Sequence, residues 1–174
     1  MKLVILVILP FLTTTVFADS LTPQERKQIM AGAARLKNAF HKGDHTVPVE
    51  MMPDNFFKLN NISKQKMLTV SKLMTSRLKK AGLKVISLKY SEPATAYKCK
   101  FATIAFVPGK TLIEVNGSRV ASQGFMIASR KVSQKKWRFL DGAHPRARLR
   151  PFYDSMYGCQ GVKLKIPAFS VKVL

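Results

Sequence analysis

Acidic residues are scarce in this chain. Nine Asp and Glu stand against thirty Lys and Arg over 174 residues, for a formal charge of +21. Cysteine is nearly absent too, with two residues, Cys99 and Cys159. That is too few for a thiolate metal site, and a nucleophilic role would need a base beside the thiol. Histidine numbers three, tryptophan one. A Gly-x-Ser-x-Gly elbow and a phosphate-cradling glycine loop are both missing, which removes the commonest hydrolase and nucleotide-binding signatures. Beyond residue 18 no apolar run reaches the roughly 20 residues that span a bilayer.

The one long apolar run opens the chain. Lys2 precedes Leu3 to Leu12, Thr13-Thr14-Thr15 interrupts the run, and Val16-Phe17-Ala18 sets small residues where a signal peptidase cuts. This is the pattern of a cleavable export signal at 1–18, with a mature chain of 19–174 starting at Asp19. That length suits one domain with a real core. Export carries the chain to an oxidising compartment, periplasmic or extracellular, where Cys99 and Cys159 are expected to bridge each other.

The charge then needs a reason. Cleavage removes only Lys2 from the total, and the remaining excess lies far outside the roughly 2 to 8 charges that suit a small domain. Self-repulsion of that size destabilises the compact state. A polyanionic partner accounts for it. In an exported protein, phospholipid headgroups and acidic glycans rank ahead of nucleic acid. A lysine-rich surface with no ligand is the plain alternative.

Thr22-Pro23-Gln24-Glu25 is a capping box, and Ile29, Ala33, Leu36 and Phe40 recur at helical spacing until Gly43. Pro48 and Pro53 break the pattern that follows, with a short helical turn over Asp54 to Leu59. Ser63 caps a second long helix whose expected buried stripe is Met67, Val70, Met74 and Leu78, closed by Gly82. The periodicity next switches to alternation. Strands are expected at Leu83 to Tyr90, Tyr97 to Val107 (ended by a Pro108-Gly109 turn), Thr111 to Val115, Arg119 to Val132 and Lys135 to Leu140. Asn116-Gly117 gives the strongest hairpin signal. Ala143 to Tyr157 allows a short helix, and Lys163 to Ile166 an edge segment. The order implies an α+β domain, with helices covering one face of a curved antiparallel sheet.

Helix, short helix, long helix and a bent meander resembles the nuclear-transport-factor-2-like, or cystatin-like, cone. Ala81-Gly82-Leu83-Lys84-Val85-Ile86-Ser87, Ala105-Phe106-Val107-Pro108, Trp137-Arg138-Phe139-Leu140-Asp141-Gly142-Ala143 and Leu164-Lys165-Ile166-Pro167 are similar to segments of small exported bacterial proteins of that fold. The resemblance implies fold and compartment, with no assigned activity. It also implies an open alternative of pairing through the sheets as a homodimer. The chain departs from that group in Ser133-Gln134-Lys135-Lys136 and Arg146-Ala147-Arg148-Leu149-Arg150, where relatives carry Asp-Gly-Gly turns and acids.

Those departures form the candidate site. Arg130, Lys131, Lys135, Lys136 and Arg138 cluster at one hairpin end, and Arg146, Arg148 and Arg150 follow closely. Arginine's planar fork donates two parallel hydrogen bonds to one oxyanion, which suits phosphate, sulfate or carboxylate. Trp137, Phe152, Tyr153 and Tyr157 could floor such a patch, although Trp137 reads more simply as core. Lys72, Lys79 and Lys80 make a second basic candidate. His41, Asp44 and His45, or Asp141 with His144, would be needed for an acid/base pair. However, Gly43 breaks the helix between the first pair of histidines, and Asp141 before Gly142 reads as a turn residue. No metal and no cofactor are implied. The expectation is a non-enzymatic exported protein that binds an anionic lipid or glycan. A small pocket enzyme (hydrolase or isomerase) and a protein-binding inhibitor or effector are the alternatives.

Overall fold

A computed structural model of the chain describes residues 20–143, 147 and 149–174. The expected signal segment, His144, Arg146 and Arg148 lie outside the described residues.

Helices come first. α1 (Pro23–Lys42) starts at the predicted box: Glu25 N donates to Thr22 Oγ1, and Thr22 N donates to the Glu25 carboxylate at 2.9 Å. Gly43 ends it in the left-handed conformation, φ 68°. α2 (Thr46–Met51) and α3 (Asp54–Leu59) follow. α2 was hidden by Pro48, yet that proline sits in the first turn, where a helix needs no N–H from it. α4 (Lys64–Lys80) is capped by Ser63, whose Oγ accepts from Lys66 N.

The sheet is built on one long hairpin, β3 (Ala102–Val115) and β4 (Ser118–Lys131), joined at Asn116-Gly117 with both residues at positive φ. Each outer edge of this hairpin is lined by two short strands in tandem. β1 (Lys84–Tyr90) and β2 (Ala96–Lys98) pair with β3, while β5 (Arg138–Asp141) and β6 (Ser170–Val173) pair with β4. All pairings are antiparallel, and the sheet curls strongly into a half-barrel compatible with a cone.

Pro108-Gly109 is not the turn expected from the sequence; β3 runs straight through it. The Pro108 carbonyl accepts from Ser91 N in the β1–β2 connection. Within a strand, a residue's N and carbonyl face the same neighbour, so the missing N–H also points at this connection, where no ladder bond is demanded. Lys163 to Ile166 is likewise not an edge strand; β6, four residues further on, takes that place.

Both faces of the sheet are covered, not one. Alternate residues of β3 and β4 point to opposite sides. Ile104, Phe106, Phe125 and Ile127 pack with Phe56, Phe57, Tyr153 and Tyr157 of α3 and α5 (Arg150–Tyr157). Ala105, Val107, Met126 and Ala128 pack with Ile29 and Ala33 of α1, Trp137 and Phe139. Tyr153 and Tyr157 are thus core residues and no floor for a surface ligand. The Cys99–Cys159 disulfide forms as expected, tying the β2–β3 turn to the residue after the Gly158 cap of α5.

A further correction concerns α4. None of its residues is buried, and Val70, Met74 and Leu78 are 42, 49 and 43% exposed. Met67 and Leu68 alone of its apolar residues pack against the core.

Candidate functional site: a basic groove beside an apolar cavity

Gly32 brings α1 against β5. A Cβ at this position would lie 2.3 Å from the Phe139 ring, so only glycine allows the approach. The close contact makes α1 and β5 the walls of an open groove of about 680 Å³, with Glu50 and Met51 of α2 and Lys64 of α4 at its end. Arg35, Lys64, Lys135, Lys136 and Arg138 line it against a single carboxylate, Glu50. The Arg35–Glu50 pair is 4.0 Å apart with both side chains largely in water, so it neutralises the groove weakly. Arg138 Nη1 donates to the Glu50 carbonyl at 2.5 Å, which fixes the guanidinium across the groove.

Asp54 stands next to this cluster. It pairs with Lys64 at 3.1 Å, and the hydrogen bond from Lys64, with the charges of Lys64, Arg138 and Lys131, holds its carboxyl below the usual range despite some burial. Lys64, Arg138 and Lys131 together outnumber this one carboxylate, so the local charge is positive.

The remaining sequence candidates divide. Lys131, Lys135, Lys136 and Arg138 fall around the groove and Asp54. Arg130 is engaged inside the chain: Nη2 donates to Glu25 Oε1 at 2.7 Å, and the guanidinium lies 5.1 Å from the centre of the Trp137 ring. Arg150 is a structural residue. Its Nε donates to Asp154 Oδ1 at 3.0 Å, while Nη1 and Nη2 donate to the Val162 and Cys159 carbonyls. That geometry leaves its fork committed to the C-terminal loop. Arg35 and Lys64 were missed in the sequence because they lie about 70 to 100 residues before the β5 cations, and only the fold joins them.

A different kind of space lies further along α1. Here Leu36 and Phe40 stand over a cavity of about 410 Å³. Its floor is two glycines paired across the hairpin, Gly109 and Gly124, flanked by the rings of Tyr90 and Phe169. Leu88, Met126 and Phe139 add apolar wall. Asp141 is the cavity's acid, and it caps its own turn by accepting from Ala143 N at 2.8 Å. Burial, helped by the Asp141 charge, pushes the Tyr90 phenol up to about 12, so it stays a neutral donor.

The His41, Asp44 and His45 group set aside in the sequence lies apart from this cavity. Asp44 Oδ1 accepts from Thr46 N, and His45 Nδ1 meets Ser71 Oγ of α4 at 3.3 Å. Neither side chain lines the cavity.

No family model, curated protein or solved structure matches the chain.

Proposed function

We propose that this is an exported, non-enzymatic binding protein whose basic groove engages an anionic ligand carrying phosphate, sulfate or carboxylate groups. The observation that carries the reading is the groove itself: five cations from three separate segments converge on a concave surface with one weakly paired acid. Export, and membership of the cone-shaped nuclear-transport-factor-2-like group, belong to the same reading. In their support stand the disulfide, the curled half-barrel, and the fact that no described helix is long and apolar enough to cross a membrane.

Retention on heparin and binding to anionic vesicles at rising salt test the reading and separate glycan from lipid sources. The Lys135→Glu/Lys136→Glu/Arg138→Glu variant is expected to lose most of the salt-sensitive affinity. Unchanged binding in that variant, or none by the wild type at low salt, overturns the proposal.

The cavity favours a second reading, a small pocket enzyme, because a carboxylate and a neutral phenol share an apolar space of the size that small ligands occupy. Turnover of a simple aryl ester that Asp141→Asn abolishes would support it; turnover indifferent to that change would remove it.

A further inference from the structure

α4 is arranged inside out for a helix on a water-soluble protein. Its half-buried side is centred on Leu68, Ser71 and Thr75, with Met67 at the border, and Ser71 meets His45. Its solvent side carries Val70, Leu73, Met74 and Leu78, with Leu73 half-exposed. At 3.6 residues per turn these four fall within about 140° of arc. They form one contiguous apolar stripe.

The charges on this helix all have one sign. The helix holds Lys64, Lys66, Lys72, Arg77, Lys79 and Lys80, and no Asp or Glu. Lys66 lies one turn before Val70, Arg77 one turn after Leu73, and Lys79 and Lys80 follow Leu78, so cations stand at both ends of the apolar stripe. Long Lys and Arg side chains can lay their stems along such a stripe and hold their charges at its rim.

We propose that α4 is an interfacial helix that seats Val70, Leu73, Met74 and Leu78 in the surface of an anionic lipid bilayer. Exposed apolar residues bracketed by cations are the composition that binds in the plane of a charged membrane, through apolar burial plus attraction to acidic headgroups. The helix is about 25 Å long and its polar residues exclude a spanning role. A second copy of the chain fits the face poorly: an isologous contact would bring Lys66 and Arg77 of both copies into one interface with no acid on the helix to offset them. The bilayer supplies the opposite charge. This contact goes beyond the groove, and either one can hold without the other.

The test is flotation with phosphatidylcholine vesicles, with and without phosphatidylglycerol. Wild type is expected to float only with phosphatidylglycerol, and Leu73→Asp/Met74→Asp to lose about tenfold affinity or more while keeping its heparin retention. Both positions are exposed, so the variant should fold. In Leu73→Trp, indole emission is expected to shift to the blue with phosphatidylglycerol vesicles and not with phosphatidylcholine alone. Wild-type vesicle binding by the aspartate variant, or unshifted emission from the tryptophan variant, overturns the inference, as does a wild-type dimer that those aspartates convert to monomer. Vesicle binding lost with the groove variant and kept with the aspartate variant would sink the helix proposal and leave the groove standing. The reverse outcome would do the opposite.

Discussion

Gly32 and Phe139 meet face to face: the missing side chain of one is the space filled by the ring of the other. Phe139 is 3% exposed and held within the core, so the ring has nowhere to retreat. Gly32→Ala should improve the helix locally by about 1 kcal/mol. The clash outweighs this, because overpacking a tight core costs about 1–3 kcal/mol. A lower thermal midpoint for the variant is expected in calorimetry, with weaker heparin retention, since the same contact sets the width of the groove.

Arg150 offers a clean separation of charge from structure. Removing its guanidinium takes donors from the Val162 and Cys159 carbonyls and breaks the pair with Asp154. Arg150→Ala should destabilise the fold by about 2 kcal/mol. Heparin affinity at a temperature where the variant remains folded is expected to match wild type. An affinity loss as large as that of the Lys135/Lys136/Arg138 variant would return Arg150 to the binding surface.

The disulfide closes a loop of 60 residues around β3 and β4. In the loop-entropy picture such a link is worth about 4 kcal/mol. The Cys99→Ser/Cys159→Ser variant should lose about this much in denaturant titration, and a reductant should produce the same loss in the wild type.

Acid should destabilise the protein through two carboxyls. Glu25 is held below its ordinary value by the Thr22 backbone hydrogen bond, then the Thr22 hydroxyl and Arg130, against some desolvation. Asp54 is lowered chiefly by Lys64. Because both folded values are depressed, their contribution is complete above the unfolded carboxyl range and is lost as pH falls through the folded values. Stability is expected to fall from about pH 4.5 downward. Glu25→Gln and Asp54→Asn should each flatten that limb, and an unaltered limb in both would refute the assignment.

Local chemistry carried far in this chain. Thr22 and Glu25, Ser63, Gly43 and Asn116-Gly117 are short-range devices whose partners lie within a few residues, and each acts as its spacing implies. Pro108 misled for a related reason. Proline in a strand is forbidden only where its N faces a partner strand, and the gap between β1 and β2 is a property of pairing, not of sequence. The basic run from Arg130 to Arg138 marked one wall of the groove, but it could not distinguish Arg138, which crosses it, from Arg130, which is tied to Glu25. Arg150 looked like its neighbours and turned inward to the C-terminal loop.

α4 shows where such legibility stops. The apolar period of Met67, Val70, Met74 and Leu78 determined that a helix forms and that these side chains share a side. Whether that side meets a core is decided by what the rest of the chain places beside it, and the chain around His45 meets the helix at Ser71 instead. The sequence by itself determined the charge, the helix caps, the hairpin and the cysteine pair, because each depends on composition or on neighbours a few residues apart. Only the tertiary structure decided which cations share a groove and which apolar face is left to solvent, because both depend on contacts between segments far apart in the chain.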